Sequence, residues 1–174
     1  MSVPSHLRGS LFEETLTMTS QADEKQAKER LAIVPASYLV LFQGSKVLLL
    51  RRYNTGYEDG NYSVAAGHLE SGETFTQCLI REVEEEIGIA LSPEEVEMAH
   101  AMHRNSGTVN NGNRMDMFFV ARKWKGDIEN KEPDKCDDVS WFDLDDLPEN
   151  IIPYIRHALK CIRQGECYSE YGWV

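Results

Sequence analysis

Short apolar runs of strand character occupy the chain after residue 34. Residues 38–42 and 46–51 are rich in branched and aromatic side chains, and the polar turn at 43–45 separates them, which predicts a β-hairpin. Residues 62–67 are typical of another short strand that ends in a glycine turn. Further strands are predicted after the middle of the chain, at residues 96–103, 115–121 and 139–142.

Two other segments repeat their apolar positions every three or four residues, as amphipathic helices do. The first covers residues 74–87 and has Gly88 as its stop signal. The second follows Pro153 and runs to Gly165. Because strands, helix, strands and helix follow one another, we expect an α/β (α+β) fold in which helices pack on a mixed sheet.

The composition of the 174 residues, with 41% hydrophobic and 27% charged side chains, is that of one compact domain. Residues 1–30 are polar or charged without an apolar period, so we predict a flexible N-terminal extension followed by a single domain at 31–174. No apolar stretch reaches the roughly 18 residues of a spanning helix, and no secretory signal pattern opens the chain. We therefore expect a cytoplasmic protein without a membrane partner.

The net charge limits the partners of the protein. Eighteen Lys and Arg against 29 Asp and Glu give a formal charge of −11. Such a surface repels nucleic acids and polyphosphates unless something local reverses its sign. We expect no nucleic-acid partner, and a polyanionic substrate would need bound cations.

Three glutamates stand together on the first predicted helix. Glu82, Glu85 and Glu86 occupy positions i, i+3 and i+4 and share one face, whereas Glu84 points elsewhere. Like charges on one face repel, and a hard divalent cation such as Mg²⁺ or Mn²⁺ would turn this repulsion into ligation. The alternative is a solvated acidic face.

A longer pattern surrounds these glutamates. Nine fixed positions over residues 67–89 match G-x5-E-x7-R-E-U-x-E-E-x-G-U, where U is a bulky aliphatic residue. This pattern is the signature of the Nudix hydrolases, and the chain resembles that family over roughly residues 34–165. The matching residues are Gly67, Glu73, Arg81, Glu82, Val83, Glu85, Glu86, Gly88 and Ile89.

The resemblance implies an α/β/α sandwich around a mixed sheet, with the signature forming a loop–helix–loop. It also implies that Gly67, Glu82, Glu85 and Glu86 hold Mg²⁺, for which Mn²⁺ can substitute. Gly67 would allow its carbonyl to approach the cation closely. Bound Mg²⁺ would neutralise substrate phosphates and lower the pKa of an attacking water.

The same resemblance assigns catalytic roles within the signature. A carboxylate of the metal-binding group, with Glu82 and Glu85 as the candidates, activates the water. Arg81 and Glu73 match a pair that supports the catalytic helix and orients the ligands.

Two segments outside this core resemble MutT-like nucleoside triphosphate hydrolases. Residues 66–73 are similar to the opening G-G-H-L-E-x-G-E, although Ala66 replaces the first glycine. Residues 130–136 are similar to N-x-E-P-E-K-C, a segment that lies near the nucleotide pocket in those relatives. Glu132 and Lys135 are therefore expected to bind substrate, with an ordinary polar loop as the alternative.

Other side chains have two interpretations each. Arg51 and Arg52 end a strand shortly before the signature, where they either bind phosphate through their guanidinium groups or are solvated. Asp116 is a candidate for an additional metal carboxylate. The tyrosines at 53, 57 and 62 either stack on a base or pack in the core.

These residues predict Mg²⁺-dependent hydrolysis of a nucleoside diphosphate linked to another group. The favoured substrate is a nucleoside triphosphate, modified or oxidised bases included, which would yield nucleoside monophosphate and pyrophosphate. The alternatives are a hydrolase of nucleotide sugars or other nucleoside-diphosphate derivatives and a non-catalytic nucleotide-binding module. The S-Q-P-W-P-x-P-x-S run of NADH hydrolases is missing. We expect a small-molecule nucleotide partner and a monomer or homodimer.

Overall fold

Eight strands, two α-helices and one short 3-10 turn at Pro93–Glu95 build the protein, as seen in a computed structural model that describes residues 32–107 and 112–173. The predicted extension at 1–30 lies outside the described residues. The compact unit that follows spans Ile33–Val174. Its elements are β1 Val34–Gln43, β2 Lys46–Arg52, β3 Tyr62–Ser63, β4 Ala65–His68, α1 Phe75–Ile87, β5 Val96–Asn105, β6 Asn113–Ala121, β7 Cys136–Asp143, α2 Pro153–Gln164 and β8 Tyr168–Tyr171.

Strand β1 is the centre of the sheet. It pairs in parallel with β6 and antiparallel with β4, and its end turns into the antiparallel hairpin with β2. Strand β5 continues the sheet beyond β6 and pairs in parallel with β8, while β2 also pairs with β3 and β7. Parallel and antiparallel pairs therefore coexist, as the order of predicted elements requires.

Both faces of β1 are buried. Side chains alternate between the two faces of a strand, so those of β1 enter two separate cores. Tyr38 and Val40 belong to a core that includes Ile155 of α2. Leu39 and Leu41 point the other way, into a second core with the apolar residues of α1. The sheet therefore lies between α1 and α2, which confirms the predicted α/β/α sandwich.

Local sequence signals define both ends of α1. The Thr74 hydroxyl accepts a hydrogen bond from the backbone N–H of Gln77, and the Gln77 side-chain oxygen accepts one from the Thr74 backbone N–H. This capping box begins the helix. Gly88 ends it in the left-handed region, with φ of 72°, and donates its N–H to the Glu84 carbonyl. The predicted helix at 74–87 is thus confirmed.

Two features differ from the sequence prediction. The single strand expected at 62–67 is divided at Val64, because β3 pairs with β2 whereas β4 pairs with β1. Strand β8 was not predicted; buried His100 anchors it through contacts of 2.7 Å to the Glu166 carbonyl and 2.8 Å to Ser169 Oγ. Within the described residues, neither helix has the length and hydropathy needed to cross a bilayer.

Candidate active site

A cleft of about 530 Å³, the main cleft, brings together four separate segments of the chain. It is lined by the end of β2, by β4, by the last turns of α1 and by the loop that precedes β7. Of the predicted residues, Glu73 and the candidates Asp116, Tyr53, Tyr57 and Tyr62 are not on its wall. Those that line it are Arg51, Arg52, Gly67, Arg81, Glu82, Glu85, Glu86, Glu132 and Lys135.

Gly67 and Glu82 are in close contact at the floor of this cleft. A Cβ atom at Gly67 would lie only 1.8 Å from Glu82 Cδ, so no other residue leaves room for that carboxylate. The Gly67 carbonyl accepts a hydrogen bond from buried Cys78, with 3.6 Å between sulfur and oxygen. A carbonyl oxygen has two lone pairs, so this bond leaves one for a further partner.

Glu82, Glu85 and Glu86 form the glutamate face of α1, and within it Glu86 has the most strongly shifted pKa. Its Oε2 accepts a hydrogen bond from the backbone N–H of Ala66 at 3.0 Å. Removal from water raises the pKa of Glu86 to about 8, and the negative charges of Glu82 and Glu132 add to this effect. Burial also raises the pKa of Glu82. A bound cation would lower the raised pKa values of both carboxyl groups, because it stabilises their charged forms.

The raised pKa of Glu86 predicts that the metal-free protein loses stability as pH rises. Between the ordinary value of 4.5 and about 8, the folded protein holds a proton that the unfolded chain has released, so unfolding becomes easier across this window. We expect the melting temperature in chelator to fall by roughly 5–10 °C between pH 6 and 8.5. Glu86→Gln should flatten this slope in differential scanning fluorimetry. An equal slope in the variant would contradict the assignment.

Arg81 joins the helix to the loop before it. Its guanidinium donates to both carboxylate oxygens of Glu73, with Nη2–Oε1 at 2.9 Å and Nε–Oε2 at 3.2 Å. Hydrogen bonds from Arg81, followed by the Glu70 backbone N–H, lower the pKa of Glu73 to about 2. Arg81 Nη1 also lies 2.7 Å from Glu82 Oε1 and 3.4 Å from Glu85 Oε2. One side chain thus holds the loop and orients two members of the glutamate face.

This geometry predicts strong coupling between Arg81 and Glu73. Arg81→Ala and Glu73→Ala should each reduce turnover, and the double variant should cost clearly less than the sum of the two free-energy changes. The reason is that either change alone removes the same two-bond contact. A double-mutant cycle on kcat/KM measures the coupling; strict additivity would show that the contact has no part in activity.

The glutamate face is not a closed metal site as it stands. Across residues 32–107 and 112–173, no three His, Cys, Asp or Glu side chains have a geometry that could already hold a metal ion. Glu82 is hydrogen-bonded to Arg81, and the Glu85 side chain is 56% exposed. The oxygen donors fit Mg²⁺ in kind, because it prefers carboxylate and carbonyl oxygens and keeps several waters. Metal binding by these residues stays a prediction.

The loop that precedes β7 is attached to the end of α1. Backbone N–H groups of Glu129 and Lys131 donate to the carbonyls of Ile87 and Glu86, each at 3.0 Å. These bonds satisfy carbonyls that a helix end leaves without partners. The loop therefore brings Glu132 and Lys135 to the cleft, where they form an ion pair with 2.7 Å between nitrogen and oxygen.

The two arginines of β2 have different surroundings. Arg51 is paired with Asp137 at 2.7 Å, and this contact raises the pKa of Arg51. Arg52 donates to the Tyr57 carbonyl at 2.7 Å and to Thr55 Oγ1 at 3.0 Å, and neither acceptor is charged. The Arg52 guanidinium is therefore not already paired with a carboxylate, as that of Arg51 is, and is better placed to bind an anionic ligand.

Asp116 lies away from the glutamate face. It is fully buried in a 2.6 Å ion pair with Arg104, on the side of the sheet that packs against α2. The prediction of Asp116 as an additional metal carboxylate is therefore wrong, because the sheet separates Asp116 from the glutamates of α1. Sequence spacing could not reveal this, since the partner arginine belongs to a different strand.

A second cleft of about 310 Å³ opens on that side of β4. Sequence reasoning missed most of its wall, including His68, Arg104, Arg114 and Tyr154. The signals in the sequence were the predicted site residues Arg52 and Gly67 and the tyrosine-rich segment before the signature, from which Tyr57 reaches this cleft. Tyr62, by contrast, packs in the core against Phe142.

A sandwich that carries this signature on a capped helix above a carboxylate-lined cleft defines the class of protein as a Nudix hydrolase. The family model described as the NUDIX domain matches residues 33–161. The chain therefore belongs to the Nudix hydrolase family, which confirms the resemblance seen in residues 67–89.

Named relatives give a finer comparison. The chain is 32% identical over 140 residues to the "NAD-capped RNA hydrolase NudC" of Chromobacterium violaceum, which covers 77% of this chain and 49% of that protein. It is 34% identical over 114 residues to the protein of the same name from Pseudomonas aeruginosa, covering 66% of this chain and 37% of that one. The chain thus spans half or less of the length of these relatives.

A solved structure supports the same fold. The MutT NUDIX hydrolase from Burkholderia pseudomallei superposes with a TM-score of 0.68 at 25% identity, over 75% of this chain and 98% of that chain. Its length matches the domain described here, without the additional sequence of the NudC relatives.

Proposed function

We propose that the protein is a Mg²⁺-dependent pyrophosphohydrolase that converts a nucleoside triphosphate to nucleoside monophosphate and pyrophosphate. One observation supports the proposal: the glutamate face of α1 and the cationic side chains of Arg52 and Lys135 line the same cleft. Carboxylates can ligate the divalent cations that accompany a polyphosphate, and the arginine and lysine can donate hydrogen bonds to its phosphate oxygens. Together with a bound divalent cation, these side chains would offset the overall charge of −11 where a polyanion must bind.

The residues that would hold Mg²⁺ are Glu82, Glu85, Glu86 and the carbonyl of Gly67. Bound there, the ion would neutralise phosphate oxygens and lower the pKa of an attacking water. Mn²⁺ offers similar ligand preferences and would substitute.

The side chains of the protein contribute orientation and charge. Arg81 keeps Glu82 and Glu85 on the cleft wall, while the Ala66 N–H holds the Glu86 carboxylate in place. Glu82 and Glu85 are the candidates for accepting a proton from water, and the raised pKa of Glu82 favours that role. Arg52 and Lys135 would stabilise charge on the departing pyrophosphate.

The bond that breaks tests this proposal. Hydrolysis in ¹⁸O-labelled water should release nucleoside monophosphate and pyrophosphate from a triphosphate, and chelator should stop the reaction. Mass spectrometry locates the label, and a phosphate assay detects terminal cleavage. Orthophosphate and nucleoside diphosphate as first products would overturn the proposal.

A second candidate is hydrolysis of a dinucleotide pyrophosphate, which the identity to proteins named NAD-capped RNA hydrolase favours. NAD contains a nucleoside diphosphate linked to another group, so the same cleft would bind its pyrophosphate. A panel of triphosphates, NAD and nucleotide sugars at equal concentration separates the candidates by kcat/KM. A cytoplasmic location also remains a proposal, and cell fractionation with a specific antibody tests it.

A further inference from the structure

The second cleft is continuous with the first. The two clefts share Arg52, Ser63, Ala66, Gly67 and His68, so β4 forms their common wall. A substrate whose phosphates lie in the main cleft can therefore extend its remaining part across β4. The volume of about 310 Å³ is at the lower end of small-ligand sites, which suits a single ring system with its sugar.

The two clefts differ in their charged side chains. The main cleft mixes both signs: five glutamates, at positions 70, 82, 85, 86 and 132, share its wall with Arg51, Arg52, Arg81 and Lys135. The charged side chains on the wall of the second cleft are all arginines, and its aromatic side chains are all tyrosines. These six residues are Arg52, Arg104, Arg114, Tyr38, Tyr57 and Tyr154.

Neighbouring contacts hold the deeper arginines in place. Arg104 Nε donates to Asp116 at 2.6 Å, and the guanidinium lies 3.8 Å from the ring centroid of Tyr154. The Arg104 side chain is only 4% exposed, so its position is determined by packing. Its remaining N–H groups are donors, because a guanidinium has no acceptor.

Arg114 and His68 also meet at this cleft. Arg114 Nη1 lies 2.8 Å from His68 Nε2. Since the arginine can only donate, the histidine nitrogen accepts and the imidazole is neutral. Burial and the charge of Arg114 agree with this state, because both lower the pKa of His68. Within the described residues Arg114 forms no close ion pair, and the carboxylate that interacts with its charge, Asp116, is already hydrogen-bonded to Arg104. The Arg114 guanidinium can therefore donate to a ligand.

We infer that the second cleft binds the nucleobase of the substrate and that Arg104 and Arg114 select bases with a ring carbonyl over bases with an amino group at the same position. The inference rests on the proposed function for the placement of the phosphates. It places the base away from the loop with Glu132 and Lys135, because these two residues line only the main cleft.

The physical reason is hydrogen-bond matching. A ring carbonyl accepts from a guanidinium, and the tyrosine rings stack on the base. An amino group at the same position faces donors and positive charge, and burying such unpaired donors costs roughly 1–3 kcal/mol. The expected discrimination is therefore on the order of 10-fold or more.

Nucleoside monophosphates test the inference without turnover. Inosine and adenosine monophosphates differ in a carbonyl or amino group at position 6 of the ring, and uridine and cytidine monophosphates differ in the same way at position 4. Isothermal titration calorimetry with Mg²⁺ in the buffer should give a Kd about 10-fold lower for the carbonyl member of each pair. Equal affinities, or tighter binding of the amino member, would overturn the inference even if triphosphates are hydrolysed.

Variants then locate the discrimination. Arg114→Gln should reduce the preference to about twofold or less, with an unchanged circular dichroism spectrum. Arg122→Gln is the matched control, because it removes the same charge just beyond the other end of β6 and lies on neither cleft; it should keep the full preference. A preference that Glu132→Gln abolishes and Arg114→Gln leaves intact would place the base at the loop and overturn the inference. Failure of all triphosphates to react would reject the proposed function alone.

Discussion

Replacing Glu86 with glutamine should lower turnover by about 100-fold or more while the protein stays folded. The amide retains the shape of the side chain and can still accept the 3.0 Å hydrogen bond from the Ala66 N–H. It removes the carboxyl group whose pKa burial raises to about 8, and with it a ligand that a divalent cation would hold in the charged form. Steady-state kinetics at saturating Mg²⁺ measures the loss.

Glu84→Gln is the matched control for this change. Glu84 belongs to the same helix and differs from Glu86 in being exposed and outside the main cleft. Its turnover should stay within about twofold of the unmodified protein. A Mn²⁺ titration followed by electron paramagnetic resonance should show weaker binding for Glu86→Gln alone. Near-normal turnover of that variant would reject Glu86 as a ligand.

Gly67→Ala should be nearly as damaging as a direct change of Glu82. The added methyl group would stand 1.8 Å from Glu82 Cδ, so the carboxylate must leave its position on the cleft wall. Gly67 lies in a strand without a positive φ, so backbone strain adds little. We expect turnover to fall by roughly 100-fold, with a change in melting temperature of only a few degrees.

Non-additivity distinguishes this mechanism from general damage. In a Glu82→Gln background, Gly67→Ala should cost little more, because the carboxylate it displaces has already been neutralised. Kinetics on the two single variants and the double variant completes the cycle. If the two losses multiply, Gly67 acts through some route other than Glu82.

Sequence reasoning was most successful along α1. The positions of Glu82, Glu85 and Glu86 on one face follow from the helix period, and the ends of the helix follow from Thr74 and Gly88. All these relations are local, because they connect residues within a few turns. The local geometry of a helix does not depend on what packs against it.

Sequence reasoning treated Arg51 and Arg52 alike, and the structure separates them. Arg51 faces Asp137, which is 86 residues away in the sequence and adjacent only through the pairing of β2 with β7. Arg52 instead holds the loop at Thr55 and Tyr57. Strand register decides which neighbour a side chain has, and a one-residue shift exchanges the faces.

The sequence by itself determined a mixed sheet with helices packed on it, the helix that Gly88 ends and the set of carboxylates, because periodicity, stop signals and motif spacing are properties of short segments. The α/β/α sandwich was implied by the resemblance of residues 67–89 to the family signature. Only the tertiary structure decided that β8 closes the sheet edge, that Asp116 is buried against Arg104, and that a cationic cleft opens across β4 from the glutamate face. Each of these depends on which strands become neighbours and in what register. That information lies in contacts between distant segments, whose stability comes from the burial of the whole core.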